Sequence, residues 1–359
     1  MFSAIRRYLR HVTDAELADP AKALTKGSIV AFPVGGRYLL ATNADIREAH
    51  DELVQQTKDE PLVLLPSEEH FLRVFPTLDR IAERIRALED RDRFVLRLPH
   101  EQFPSGLRVQ FSGDEAISRL IIAAKCPVLA VEARDRAGQL LIRSADVART
   151  YRSFPEHILD FGALSGADRG IEIAVLRAGF AVKGANNELL ESLSPALTKR
   201  VLFVCIGNVN RSAFARARLD VIANEERSFV ASHGWDYVPA YHSTSAGVSA
   251  SEDYVVPDFM LAAARRYGCA EAMAQHKPKI FNDDLAQNAD LIFPLADDVT
   301  RAVESRMIGK RTRVIRTRVD VTDPMGGAPD AYVAMAAHVE QLIAKHLLSS
   351  GCGLFKEEQ

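Results

Sequence analysis

A cysteine and an arginine in C-x5-R spacing bracket the segment Cys205-Ile206-Gly207-Asn208-Val209-Asn210-Arg211, and Ser212 follows directly. A loop that opens on a thiol and closes on a guanidinium can turn its backbone N–H groups and a following helix N-terminus toward one point. An oxyanion such as phosphate needs that arrangement. A thiolate at its centre would be a nucleophile aimed at phosphorus. Helix N-termini and cationic neighbours in general favour the thiolate that such an attack requires.

The flanking residues explain how the segment would be held. Val201-Leu202-Phe203-Val204 is an apolar run of the kind found in buried parallel strands, and the Ser-Ala-rich stretch after Arg211 predicts a helix over 212–224. Further strands are expected around 242–245, 291–293 and 313–315, and helices at 257–267, 297–306 and 332–348. Strands and helices that alternate in this way imply a doubly wound, four-stranded parallel sheet, whose ligands bind at the carboxyl ends of strands. Cys205 lies just past such an end. Upstream, strand-like runs at 28–32, 61–65, 94–98, 128–131 and 173–176 mix with helical stretches at 46–56 and 80–89, which indicates a separate α/β domain. The expected organisation is a first domain over 1–185, a polar connector over 186–200 and a second domain over 201–350. A short basic amphipathic helix at 4–12, with Ile5, Tyr8 and Leu9 on one side, reads as a docking element.

Composition narrows the function classes. The chain has 359 residues, 47% of them hydrophobic, enough for two cores, and its net charge of −3 gives no global pull toward nucleic acid or anionic membrane. No apolar run is long enough to span a bilayer, and the first residues lack the hydrophobic centre of a signal peptide. Four cysteines (Cys126, Cys205, Cys269 and Cys352) are scattered without CxxC spacing or paired histidines. That argues against a disulfide scaffold or a zinc site and leads to the expectation of a cytoplasmic protein. The basic run 310–318 reads as a solvated edge, with steering of an acidic phosphoprotein as the second reading.

The segment VLFVCIGNVNRS resembles the phosphate-binding loop of the low-molecular-weight protein tyrosine phosphatases. Two further motifs in the family's order, Ser245-Ala246-Gly247 and Asp323-Pro324, extend the resemblance over roughly 201–348. It implies that Cys205 attacks phosphorus and that Arg211 clamps two phosphoryl oxygens. The backbone amides of Ile206, Gly207, Asn208, Val209, Asn210, Arg211 and Ser212 would hold the remaining oxygens. By the same likeness Asp323 protonates the leaving group and then activates water, and Ser212 donates to the thiolate. Asn208 and Ser245 would brace the loop, asparagine being one of the few residues besides glycine that tolerates positive φ. Asp320 and Asp330 compete for the acid role. The substrate would be a phosphorylated protein or a small phosphomonoester, and the chemistry requires no metal and no cofactor.

Two departures bear on this resemblance. The family usually carries a second cysteine directly before the loop arginine, where this chain has Asn210. A sulfenic Cys205 would then lack an adjacent resolving thiol, so the expectation is greater sensitivity to peroxide without rescue by thiols. The second is Met325-Gly326-Gly327 after Asp-Pro, a form closer to the bacterial branch that includes protein arginine phosphatases. That branch prefers threonine where this chain has Val209, whereas an apolar residue suits phosphotyrosine, so the two cues conflict. Tyr254 and Trp235 are candidate aromatic walls, with ordinary packing the plainer account of each. Arsenate reductases share the loop but relay oxidation through further cysteines, for which only Cys269 is at hand.

The first domain resembles the threonylcarbamoyl-adenylate synthases (the YrdC type) through Gly27-Ser28-Ile29-Val30-Ala31-Phe32-Pro33, Tyr38-Leu39-Leu40, Lys58 before Pro61-Leu62, and Leu96-Arg97-Leu98-Pro99. The family's nucleotide-binding residues are replaced: its lysine-x-arginine reads Lys58-Asp59-Glu60, its serine-alanine-asparagine reads Glu132-Ala133-Arg134, and a later serine-threonine pair reads Ile171-Glu172. Carboxylates at such places would repel a triphosphate. The expectation is a degenerate domain without synthase activity that serves as a binding or regulatory module. Lys58, Arg97 and Arg134 remain as a candidate basic patch for RNA or a nucleotide. A non-catalytic binding protein and a bifunctional tRNA-modifying protein are the competing readings of the whole chain.

Overall fold

The computed structural model describes residues 12–75, 79–88, 93–101, 103–152, 154–160, 164, 171–307, 313–315, 320–349 and 351. The expected helix at 4–12 (Val12 apart), Cys352 and most of the basic run 310–318 lie outside the described residues. Among the described residues no helix is long and apolar enough to cross a membrane.

The chain divides into two compact units. The first holds the described residues up to Val175 together with Val182–Leu189, and the second holds Leu176–Ala181 and the chain from Leu190. This differs from a single cut within 186–200. Local contacts give the reason: Glu226 accepts the N–H groups of Arg177 and Ala178, both at 2.9 Å, and Ala240 N donates to Ala178 O at 2.8 Å. Gly179 lies so close to Tyr237 that a Cβ would fall 2.5 Å from the ring, so only glycine fits there.

The first unit contains α1 (Asp14–Lys26), β1 (Val30–Val34), β2 (Arg37–Asn43), α2 (Arg47–Thr57), β3 (Leu62–Leu65), α3 (Glu68–Val74), α4 (Asp79–Arg86), β4 (Phe94–His100), β5 (Phe103–Phe111), α5 (Glu115–Ala124), β6 (Val128–Glu132), α6 (Ser144–Tyr151), β7 (His157–Ile158) and β8 (Ile171–Val175). Its strands run in the order β8-β4-β5-β3-β6-β2-β1-β7 with mixed parallel and antiparallel pairing. One face of β1, β2 and β6 packs Val30, Phe32, Leu39 and Ala130 against Leu24 of α1 and Leu120 of α5. The other packs Ala31, Leu40 and Val131 against Leu53 of α2 and Val147 of α6. The charges flagged in this domain are paired with one another. Arg97 is held by both oxygens of Glu60, at 2.7 and 2.8 Å, and by Glu172. Arg134 pairs with Asp59 at 3.3 Å and with Glu132, while the fully buried Arg37 meets Glu132 at 2.7 Å and Gln110 at 3.0 Å. Of the three residues of the candidate basic patch, Arg97 and Arg134 are thus paired with acids, Glu60, Glu132 and Glu172 among them.

β9 (Gly179–Lys183) and α7 (Asn187–Leu197) follow, so the polar connector is a helix, and the divide between the units falls within it. The second unit continues with β10 (Lys199–Cys205), α8 (Arg211–Ser232), β11 (Asp236–Pro239), β12 (Tyr241–Gly247), α9 (Asp258–Arg265), α10 (Ala270–Ala274), α11 (Asp283–Gln287), β13 (Leu291–Pro294), α12 (Asp297–Arg306), β14 (Arg313–Val314) and α13 (Pro329–His346). Its four-stranded sheet has the order β12-β10-β13-β14, and every pairing is parallel. Side chains alternate across β10. Leu202 and Val204 join Ala246, Ile292, Val299 and Val303 on one face. Phe203 stacks at 5.5 Å on Phe293, whose ring in turn meets His346 of α13. Each buried phenylalanine contributes about 1.5–3 kcal/mol through removal from water. Such packing on both faces fixes where β10 ends, and Cys205 is its last residue.

Candidate active site

The loop after β10 is shaped by the close approach of β12. Cys205 is in register with Gly247, and the Cys205 and Ile206 carbonyls accept the N–H groups of Val248 and Ser249 at 2.9 and 3.0 Å. A Cβ on Gly247 would lie 2.3 Å from the Ile206 carbonyl oxygen, so the glycine of the Ser-Ala-Gly motif is sterically required. Asn208 turns the loop at φ 55°, in the left-handed region. Its side chain secures the turn from both ends. Nδ2 donates to Ser212 Oγ at 2.9 Å, and Oδ1 accepts the Lys279 N–H at 2.8 Å. His276 Nε2 lies 2.7 Å from the Asn208 carbonyl oxygen. Burial pushes the His276 imidazole below its ordinary pKa, a shift that the Asn208 carbonyl partly offsets and that Arg216 and Lys279 reinforce. A neutral His276 that donates from Nε2 satisfies both observations.

Cys205 is 2% exposed. Its Sγ accepts the Asn208 N–H at 3.2 Å and sits 2.9 Å from Ser212 Oγ. The Ser212 hydroxyl also reaches the Ala246 carbonyl at 3.2 Å. It has one proton for two acceptors, so when Cys205 is a thiolate the hydroxyl donates its hydrogen bond to sulfur. The expected brace from Ser245 is corrected: Ser245 is buried one residue earlier on β12, and among the described residues its hydroxyl makes no hydrogen bond to the loop. The hydroxyl at the loop is that of Ser212, and the contact from β12 is a carbonyl.

Arg211 begins α8 with its side chain folded under the loop. Nη1 donates to Val321 O at 2.9 Å and Nη2 to Asp323 Oδ2 at 2.8 Å, whereas Nε is buried without a partner. Asp323 Oδ1 accepts Asn210 Nδ2 at 3.3 Å and Met325 N at 3.2 Å. The Val321 N–H donates to Leu295 O at the end of β13, which ties the Asp-Pro loop to the sheet. Cys205, Ile206, Gly207, Val209, Asn210, Tyr254, Asp323 and Met325 line a cavity of about 330 Å³. Asp320 and Asp330 are exposed and absent from that lining, as is Trp235. Tyr254, half exposed at the mouth, is a wall of the cavity rather than a packing residue.

The sequence reading passed over His276 and the Lys279 amide. Both act through contacts some seventy positions from Asn208 (68 and 71), and no local pattern marks them. The other described thiols are placed away from this chemistry. Cys269 is fully buried with its pKa pushed up to about 11 by desolvation, and Cys126 belongs to the first unit.

Residues 200–357 match the family model of the low molecular weight phosphotyrosine protein phosphatases. No curated protein gives a significant match to the chain. Among solved structures, a mutant of YwlE from Bacillus subtilis is 27% identical over 42% of this chain and 98% of its own, with a TM-score of 0.34. A low molecular weight protein tyrosine phosphatase from T. tengcongensis is 25% identical over 41% of this chain and 96% of its own, with a TM-score of 0.35. The YwlE arginine phosphatase from Geobacillus stearothermophilus is 23% identical over 42% and 92%, with a TM-score of 0.34. Residues 200–357 are thus similar to the low molecular weight phosphotyrosine protein phosphatases, a family of hydrolases.

Proposed function

We propose that the second unit hydrolyses aryl phosphomonoesters of the phosphotyrosine type through a cysteinyl-phosphate on Cys205. The observation that carries this reading is the buried sulfur that accepts the Asn208 N–H, in a loop closed by a guanidinium whose Nε has no partner. A phosphoryl group in the loop would meet the amides of residues 206–212 and the Nε–Nη2 edge of Arg211, a bidentate clamp on two oxygens. Cys205 Sγ attacks phosphorus. The S–P bond forms as the P–O bond to the leaving group breaks, and the proton of the Asp323 carboxyl group passes to the departing oxygen. Water then attacks phosphorus and gives its proton to Asp323. The S–P bond breaks, inorganic phosphate leaves, and the thiolate is restored.

The walls favour one substrate class. Ile206, Val209, Tyr254 and Met325 present apolar surface to the leaving group. A phenol ring is well placed against them, whereas a guanidinium would lose hydration against these four side chains. A phosphorylated tyrosine on a protein, or a small aryl phosphate, is therefore favoured over phosphoarginine. The first unit acts in this reading as a binding or regulatory module rather than a synthase, because Arg97 and Arg134 are occupied by Glu60, Glu132 and Glu172.

Turnover of p-nitrophenyl phosphate by the reduced full-length protein tests the proposal. Cys205→Ser is expected to abolish it, and Asp323→Asn to lower kcat by about 10²–10⁴-fold. No turnover by pure, reduced wild type would overturn the reading. Preference for phosphoarginine over phosphotyrosine peptides would overturn its substrate class alone.

A further inference from the structure

The bond between Arg211 Nη2 and Asp323 Oδ2, at 2.8 Å, competes with the clamp. In the reaction proposed above the Nε–Nη2 edge takes phosphoryl oxygens, so Asp323 must release Nη2 when substrate enters. Its other oxygen keeps two donors, Met325 N and Asn210 Nδ2. The Met325 amide is two residues along the same loop and moves with Asp323. Asn210 lies 113 positions away in the nucleophile's own loop. It alone ties the acid's Oδ1 to the loop that holds sulfur and phosphate.

Asn210 is otherwise uncommitted. Asparagine at a helix N-cap ordinarily spends its side-chain oxygen on the amides of the first turn. Asn210 is the N-cap of α8 yet makes no such bond. Its side chain lines the cavity, the residue is 2% exposed, and Oδ1 is buried without a partner. An amide at this position donates firmly to a carboxylate, which a thiol, a weak donor, cannot do. We infer that Asn210 is a positioning residue that holds Asp323 over the leaving-group oxygen once Arg211 has turned to the phosphate. The inference rests on the phosphatase reading and adds to it.

The test compares a leaving group that needs a proton with one that does not. Phenyl phosphate expels a weakly acidic phenol and depends on Asp323, whereas dinitrophenyl phosphate expels a phenolate stable without protonation. In the full-length protein Asn210→Leu, which keeps the size but removes the donor, is expected to lower kcat/KM, which reports only the step that expels the leaving group, roughly tenfold more on phenyl phosphate than on dinitrophenyl phosphate, as a displaced acid would. Asp323→Asn should show the same selectivity in larger measure. Asn210→Cys gives a second route should the leucine variant fold poorly, with thermal melting as the check, and the same direction is expected. A purely structural role would lower both rates together. An unchanged ratio of the two rates in folded variants would therefore overturn the inference and leave the phosphatase reading standing. Failure of wild type to turn over either compound would overturn both.

Discussion

His276 shows how a half-buried side chain holds the loop after Cys205, through its contact with the Asn208 carbonyl. Burial disfavours its charged form, so its pKa lies below that of a free histidine. Where the folded pKa is depressed, the unfolded chain binds a proton that the folded chain declines, and stability is lost as pH falls. Above the ordinary histidine value of about 6.5 the ring is neutral in both states. Denaturation of wild type and His276→Gln should differ by a constant amount there. The wild type should then lose stability relative to the variant as pH drops from that value toward the lowered one. A gap that does not change with pH would show that His276 is not held neutral behind Asn208. The same residue marks a limit of what is legible in sequence. Cys205, Asn208, Arg211 and Ser212 crowd into one segment, so their proximity is legible directly. His276 reaches Asn208 only because the chain after α10 passes behind the loop.

The approach of β12 to the loop decides whether the site is assembled at all. Adding one methyl at Gly247 would place it 2.3 Å from the Ile206 carbonyl oxygen and 2.8 Å from Asn208 N, two backbone atoms that cannot rotate away. Gly247→Ala should cost about 1–3 kcal/mol of stability by overpacking. A displacement near 1 Å would also lower kcat/KM by about 10²-fold. Denaturant melts and steady-state rates on the folded variant check both, and wild-type kinetics would contradict the steric account. The second unit's sheet was legible because its strands are short and separated by helices, with apolar runs in β10 and β13. Elements of the first unit were harder to see. β5, which contains Pro104 and Gly106, and α1, which contains Pro20 although Thr13 and Glu16 form a capping box at its start, were both missed. In α1 the burial of Pro20 outweighed local preference.

The chain joins a unit proposed to carry a nucleophile, clamp and acid to another in which Arg97 and Arg134 are paired with acids. The acids at Asp59, Glu60, Glu132 and Glu172 looked in sequence like losses from a nucleotide site. In the fold they neutralise Arg97 and Arg134, which could otherwise attract phosphates. Titration calorimetry of the full-length protein with ATP should accordingly show no binding, and clear micromolar binding would contradict a self-neutralised first unit. For the second unit the central claim is a covalent bond between Cys205 and phosphorus. Rapid-quench phosphorus NMR of the reduced protein during turnover of p-nitrophenyl phosphate tests it most directly. A phosphocysteine signal that builds up in wild type, persists longer in Asp323→Asn and is absent in Cys205→Ala is the predicted result. Turnover that continues in Cys205→Ala, with no phosphocysteine formed in wild type, would contradict it.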